Sequence, residues 1–139
     1  MCSEYKTTTD ECSFILKPSR FNGCGVGVFT THKIAKGTYL RLFGDRETWL
    51  DNIVLRQISA VPHIFQDYCV KMGDDIFAPK DFGCMPVGWY MNHDASNPTA
   101  KHKDFEYFAM RDLAENEEIT TDYNSLEEDK SAIAPYYKQ

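Results

Sequence analysis

The 139-residue sequence has no apolar run that approaches the roughly 20 residues of a membrane-spanning helix. Its first eleven residues are polar and lack the apolar centre of a signal peptide. These two absences predict a soluble, intracellular protein that has no membrane partner.

Cysteine is present but follows no pattern. The five cysteines are odd in number and no two are spaced as Cys-x-x-Cys: Cys2, Cys12, Cys24, Cys69 and Cys84. This arrangement disfavours both a zinc cluster and a disulfide framework, and scattered free thiols are typical of a reducing compartment. The other histidines share no ligand spacing with His93, so the sequence predicts no metal site.

Basic residues are outnumbered, because 15 Lys and Arg face 21 Asp and Glu, which gives a net charge of −6. This balance disfavours nucleic-acid binding through a basic patch and suits a basic protein partner, such as a Lys-rich tail or a ribosomal or chromatin protein. The length and the 42% hydrophobic content fit one globular domain, and no repeat or linker divides the chain.

Short β-prone runs separated by turns predict a mainly β domain. The predicted strands cover residues 13–17, 26–30, 38–43, 65–72, 76–79, 105–111 and 119–123. The clearest helical spacing lies in residues 46–59, where apolar side chains recur three and four residues apart. The sequence therefore predicts one short helix inside an otherwise β chain.

Three stretches combine residues that can do chemistry. Gly25-Val26-Gly27 forms a turn whose backbone another group can approach, because glycine has no Cβ. Residues 88–94 run from aromatic side chains into Asn92-His93, and residues 117–123 end in Tyr123. Buried Asn, His and Tyr groups need partners, since an unpaired polar group costs about 1–3 kcal/mol. Taken singly, each stretch also fits a hairpin turn, a satisfied core pair or a packing tyrosine.

Taken together and in this order, the stretches resemble the SET-domain family of S-adenosylmethionine-dependent protein lysine methyltransferases. That family has a Gly-X-Gly turn before a Val-Phe strand, then an Arg-Phe-Ile-Asn-His-Ser-Cys segment, then Gly-Glu-Glu-Leu-Thr-x-Asp-Tyr. The matching segments are GVG at residues 25–27, WYMNHDA at 89–95 and NEEITTDY at 116–123. The resemblance spans about residues 20 to 124.

The resemblance implies a β-clip-like SET fold of several short sheets, in which the Asn-His segment and the terminal Tyr segment cross in a knot-like arrangement. It implies a single SET domain over residues 1–139, with a core of about 13–124 and a variable, partly helical insert of about 45–80. The tail, residues 125–139, lacks the cysteines of the zinc-binding segment that follows the catalytic Tyr in many relatives.

The resemblance also implies roles for individual residues. Tyr123 corresponds to the catalytic tyrosine. The implied contacts of S-adenosylmethionine are Gly25, Val26, Gly27, Tyr90, Met91, Asn92 and His93. The implied lining of the lysine channel is Phe43, Tyr90, Tyr123, Tyr136 and Tyr137. Either Tyr136 and Tyr137 or a second copy in a homodimer would close the channel; the two tyrosines also fit a frayed terminus.

Several positions depart from the family pattern. Trp89 stands where the family usually has Arg, and Asp94-Ala95 replaces Ser-Cys. Phe43 stands at a channel tyrosine, which leaves the number of transferred methyl groups open. These departures leave an alternative, a non-catalytic SET module that binds cofactor or a peptide tail. A further alternative is a small β domain that contains these strings by chance. The short chain resembles viral and bacterial members, which would place it in the cytoplasm or in a host cytoplasm or nucleus.

Overall fold

Strands dominate the chain, as the sequence predicts. A computed structural model describes residues 4–66, 68–103 and 106–123. Its strands are β1 (Phe14–Pro18), β2 (Val26–Thr30), β3 (Ile53–Gln57), β4 (Val70–Met72), β5 (Asp75–Pro79), β6 (Asn92–His93), β7 (Ala100–Lys103), β8 (Glu106–Ala109) and β9 (Glu118–Thr121). The helical elements are α1 (His63–Gln66) and 3₁₀ helices at Trp49–Asn52, Ile58–Ala60 and Val87–Tyr90.

Three small sheets arrange these strands, in the orders β1-β2-β9-β6, β3-β5-β4 and β7-β8. The first sheet joins the three segments that the sequence singles out. Strand β9 pairs with β2 in the antiparallel sense, whereas β6 pairs with β9 in parallel, with Asn92 opposite Thr120 and His93 opposite Thr121. The Asn-His segment and the segment that leads to Tyr123 therefore lie side by side. The knot-like threading stays a prediction.

The hydrophobic core draws on all three sheets and on the loops between them. Its buried members include Phe14, Val28, Ile34, Leu40, Leu42, Phe43, Phe77, Trp89, Met91, Tyr107, Leu113 and Ile119. Met91 and Ile119 belong to the two segments that meet at β6 and β9, so packing in this core fixes where those segments lie.

The predicted helix over residues 46–59 is wrong. The structure has short 3₁₀ turns at Trp49–Asn52 and Ile58–Ala60, and strand β3 lies between them and pairs along its whole length with β5. Short apolar runs do not distinguish a strand from a helix by spacing alone. Here the β-branched residues Ile53 and Val54 favour the extended form, and β5 supplies a partner.

Two predicted strands also differ from the structure. Residues 38–43 form only an isolated bridge, between Tyr39 and Phe108. This segment runs beside β8, but Leu42 N–H donates to the nearby Leu40 carbonyl, which bends the chain away from a regular ladder. The strand predicted over 65–72 begins only at Val70, because α1 occupies His63–Gln66.

The backbone of Gly88 packs against the ring of Phe43. A Cβ at residue 88 would lie 2.5 Å from Phe43 Cζ, and that ring also meets Trp89 edge-on, with centroids 5.4 Å apart. We expect Gly88→Ala to lower the free energy of unfolding by about 1–3 kcal/mol, because the added methyl overpacks the core. Urea unfolding measures the loss. Gly83→Ala is the control, since its Cβ would meet only the flexible Asp81 side chain, at 3.1 Å. Equal losses in the two variants would contradict this explanation.

Candidate functional site

Tyr123 lies two residues beyond β9 and is held by the Asn-His segment. Its hydroxyl donates to the Met91 carbonyl at 2.5 Å, and its backbone N–H donates to His93 Nδ1 at 3.0 Å. The rings of His93 and Tyr123 also contact each other, with centroids 5.0 Å apart. Because Nδ1 accepts the Tyr123 N–H, it carries a lone pair, and the proton of a neutral His93 ring lies on Nε2.

The hydroxyl of Tyr123 faces inward, although 45% of the residue's surface is exposed. Burial, and secondarily the nearby Cys24 thiol, raise the pKa of the Tyr123 phenol above its ordinary value of 10.0. The phenol is therefore neutral, and able to donate its proton to Met91, throughout the physiological pH range.

This raised pKa predicts how Tyr123 titrates. A phenol whose pKa is higher in the folded than in the unfolded protein stabilises the fold below pH 10, and the contribution is lost as the pH rises through the folded value. An ultraviolet absorbance titration of the wild-type protein minus that of Tyr123→Phe isolates this group. We expect its ionisation above pH 10; ionisation at or below that value would contradict the burial of the hydroxyl.

The turn before β2 includes Cys24, whose thiol acts on the pKa of the Tyr123 phenol. Gly23 and Gly25 have φ of +81° and +66°, which favour glycine. Apart from the chain neighbours, no described residue has a heavy atom within 4 Å of where either Cβ would stand. Val26 is also exposed, at 39%. The carbonyls of Gly25 and Val26 accept from Ser19 N–H and Asn92 Nδ2, and the cofactor contacts of these two residues stay a prediction.

Gly27 serves a different purpose. A Cβ at this position would lie 2.3 Å from Glu118 Oε2 and 3.2 Å from Asn92 Nδ2. The missing Cβ of the second glycine therefore makes room for two protein side chains, and a cofactor contact through the Gly27 main chain stays a prediction.

Asn92 joins β6 to the turn. Its Nδ2 lies within hydrogen-bond distance of Glu118 Oε2 (2.9 Å), Ser19 Oγ (3.1 Å) and the Val26 carbonyl (3.1 Å). The two amide protons are thus used within the protein. A ligand would meet the Asn92 Oδ1 and main chain.

The sequence reasoning missed Glu118. Its carboxylate is fully buried and accepts from Ser19 Oγ, Asn92 Nδ2 and the Arg20 backbone N–H, each at 2.9 Å. The signal in the sequence is an acidic residue that begins a β-branched strand, directly before Ile119-Thr120-Thr121. Its partners at residues 19 and 20 are about a hundred positions away, so no local pattern points to them.

Comparison with known proteins identifies this arrangement. The sequence matches the SET domain over residues 25–124, well over half of the chain. The chain belongs to the SET-domain family. Members of this family are generally methyltransferases that use S-adenosylmethionine.

A solved structure agrees with this SET fold. It is a Plasmodium falciparum protein to which histone methyltransferase activity is attributed; the two chains are 16% identical and superpose with a TM-score of 0.50. The match covers 82% of the present chain and 95% of the Plasmodium chain. At this identity the likeness shows the fold alone. No curated protein sequence matches the chain.

The positions at which this SET domain departs from the family pattern have structural partners. Asp94 Oδ1 accepts from the N–H groups of Ser96 and Asn97 at 3.0 and 3.1 Å, and these bonds hold the pKa of Asp94 below its usual range. Its Oδ2 lies 3.2 Å from Arg20 Nη2. Trp89 is buried against Phe43.

The remaining predicted site residues of the SET domain are spread more widely. Tyr90 is half-buried, with its hydroxyl 3.7 Å from the Met85 sulfur and its ring against Tyr68. Phe43 is packed in the core and also lines a cavity of about 360 Å³ whose walls do not include Tyr123, Asn92 or His93. Its place in a lysine channel stays a prediction. Tyr136 and Tyr137 lie outside the described residues.

Three further structural findings concern metal sites, membrane-spanning helices and cysteine thiols. In residues 4–66, 68–103 and 106–123 no group of three His, Cys, Asp or Glu side chains is arranged to hold a metal ion. Over the same ranges no helix is long and apolar enough to cross a membrane. Cys12, Cys24, Cys69 and Cys84 are free thiols.

Proposed function

We propose that this SET domain is an S-adenosylmethionine-dependent protein lysine N-methyltransferase. The observation that carries the proposal is the position of Tyr123, whose neutral hydroxyl bonds the Met91 carbonyl beside an open glycine turn. A tyrosine that only filled space would not need to be fixed at both its backbone N–H and its hydroxyl by one neighbouring segment.

The described residues fit the cofactor. Gly25 has a positive φ, and its carbonyl accepts from the Ser19 N–H, which leaves the Gly25 N–H to meet the amino-acid portion of the cofactor. Asn92 Oδ1 accepts no hydrogen bond from the part of the chain that the structure describes. Gly25, Val26, Asn92 and His93 are the residues that would hold it. When bound, S-adenosylmethionine supplies a methyl group on a positively charged sulfur.

Transfer to lysine requires a neutral, oriented amine. Lysine has an ordinary pKa of about 10.4 and is almost entirely protonated at neutral pH, so a dry, confined site must disfavour its charged form. The Tyr123 hydroxyl and the Met91 carbonyl are two fixed oxygens that would orient the amine. Such placement removes much of the entropic barrier to reaction.

The substrate in this proposal is a basic protein that presents a lysine, such as a histone-like or ribosomal protein. The net charge of −6 supports this class, since opposite charges speed and orient encounter. S-adenosylhomocysteine would be the second product. Nucleic acid and membrane are not proposed as partners, and a second copy of the chain is proposed as the missing wall of the lysine channel.

Incubation of the purified protein with methyl-labelled S-adenosylmethionine and an extract of its native host tests the proposal. We expect one or more labelled proteins, with the label mapped to lysine by mass spectrometry. Cofactor binding without any labelled protein would instead favour a non-catalytic SET module. Absence of cofactor binding by calorimetry would overturn the proposal altogether.

A substitution at Asn92 tests the cofactor site more narrowly. We expect Asn92→Ala to weaken S-adenosylmethionine binding about tenfold, because Val26 and Glu118 lose a shared donor and the turn loses its tie to β6. Calorimetry measures the affinity. The matched control is Asn52→Ala, which removes an amide bonded to the Phe43 carbonyl. Unchanged affinity in Asn92→Ala would count against the assignment.

A further inference from the structure

We infer that Glu118 is a positioning residue. Its buried carboxylate holds the glycine turn before β2 and the Asn-His segment in fixed positions relative to Tyr123. Its connection to methyl transfer rests on the function proposed above; its structural part does not. Glu118 does not itself touch the open side of the turn.

The hydrogen-bond partners of Glu118 come from two other segments of the site. Its Oε2 accepts from Ser19 Oγ and Asn92 Nδ2, and its Oε1 accepts from Arg20 N–H, with Arg20 Nε at 3.6 Å. These donors belong to the segment that enters the glycine turn and to β6. Glu118 itself begins β9, which leads to Tyr123. One side chain thus contacts all three segments of the site.

The chain leaves space for the Glu118 carboxylate at Gly27. A Cβ at residue 27 would lie 2.3 Å from Glu118 Oε2 and 2.8 Å from Cδ, so Glu118 reaches its partners only because residue 27 has no side chain. Around the Cβ position of Gly25, in contrast, the residues that the structure describes leave 4 Å clear except for the chain neighbours. The two glycines of the motif therefore have separate roles, with Gly25 open to a ligand and Gly27 open to Glu118.

The groups around Glu118 match a carboxylate and not an amide. Backbone and side-chain donors face both oxygens of Glu118, and an ionised carboxylate only accepts. A glutamine has the same shape, but its NH₂ group would face a donor at either end. The guanidinium of Arg20 balances the buried charge and also reaches Asp94, so the same contacts extend to the residue after the Asn-His pair.

The adjacent Glu117 provides a matched control. Its carboxylate bonds Arg111 and the backbone N–H of Ala114, in the turn that precedes β9. Glu117→Gln therefore makes the same chemical change one residue away. The side-chain contacts that it alters do not include the glycine turn or Asn92.

The experiment compares Glu118→Gln with Glu117→Gln by three measurements: amide hydrogen exchange, calorimetric affinity for S-adenosylmethionine, and steady-state kinetics. For Glu118→Gln we expect faster exchange in residues 19–27 and 92–94 and unchanged exchange in β7 and β8. We also expect about a 10- to 100-fold loss of kcat/KM, carried mainly by the KM for the cofactor, since small misplacements near reacting groups have effects of this size. Glu117→Gln should match the wild-type protein in exchange over those ranges and in cofactor affinity.

A double variant tests whether Glu118 acts through Asn92. If it does, Glu118→Gln combined with Asn92→Ala should lose less affinity than the sum of the two single changes, because each already breaks their shared bond. Additive losses would show that Glu118 does not act through Asn92.

The possible results separate the structural role of Glu118 from its effect on cofactor binding and from the proposed methyl transfer. Wild-type exchange over 19–27 in Glu118→Gln would overturn the inference, whatever the activity. Faster exchange with unchanged affinity and kinetics would overturn the connection to the cofactor. A wild-type protein that neither binds nor transfers methyl groups would refute the proposed function, while the exchange data would still decide whether Glu118 holds the segments. If Glu118→Gln does not fold, Ser19→Ala removes one donor and should show the same exchange pattern more weakly.

Discussion

Replacement of Tyr123 by Phe is expected to lower kcat about 100- to 1,000-fold, the usual cost of removing one fixed hydrogen-bonding group from a reaction site. The hydroxyl bonded to the Met91 carbonyl disappears, whereas the ring that packs on His93 remains. Cofactor affinity and the urea unfolding midpoint should therefore stay close to wild type. Methylation assays, calorimetry and unfolding curves measure the three quantities.

Tyr39→Phe is a suitable control for this experiment. Tyr39 is a half-buried tyrosine whose pKa is also raised by burial, but its ring packs on Phe108 and Arg46, away from β6 and β9. We expect that variant to keep wild-type turnover. Methylation by Tyr123→Phe at the wild-type rate would show that the catalytic assignment is wrong.

Substitution of Gly27 by Ala is expected to lower the free energy of unfolding by about 1–3 kcal/mol, and by more if Glu118 loses its partners. The new Cβ would stand 2.3 Å from Glu118 Oε2, which is fully buried. Val28, the next residue of β2, is also buried, so neither the carboxylate nor the strand has room to move away. Urea unfolding measures the loss, and Val26→Ala on the exposed end of the same strand should cost much less.

A second background isolates the cause of this loss. In a Glu118→Ala protein the carboxylate is gone, so Gly27→Ala should cost markedly less there than in the wild-type protein. Equal costs in both backgrounds would show that strain in β2, and not contact with Glu118, accounts for the destabilisation.

The ordered motifs predicted the central contact of the fold. Nothing in the composition places Asn92 beside Tyr123, but the resemblance to SET domains does, and β6 and β9 pair in that way. The mainly β character and the hairpin strand at β5 were also predictable, because β-branched runs and turn residues are local signals.

The errors arise where distant pairing decides the structure. Residues 53–57 have helical spacing, yet they form β3 because β5, some twenty residues later, supplies a ladder. Arg20 and Glu118 are 98 positions apart, and only the folded chain shows that they meet. Local periodicity contains no information about either partner, so the sequence shows Glu118 as an acidic residue at the start of a β-branched strand but shows neither its burial nor its partners.

The parallel pairing of β6 with β9 also bears on when the site forms. Asn92 and Glu118 are 26 positions apart, and each also bonds a group near residue 19: Asn92 donates to Ser19 Oγ and Glu118 accepts from Arg20 N–H, so several large loops must close before these groups meet. Contacts of such high sequence separation form late and slowly. During translation, the surroundings of Tyr123 are incomplete until the ribosome has released the chain beyond that residue, and a nascent domain has secondary structure before these side chains come together.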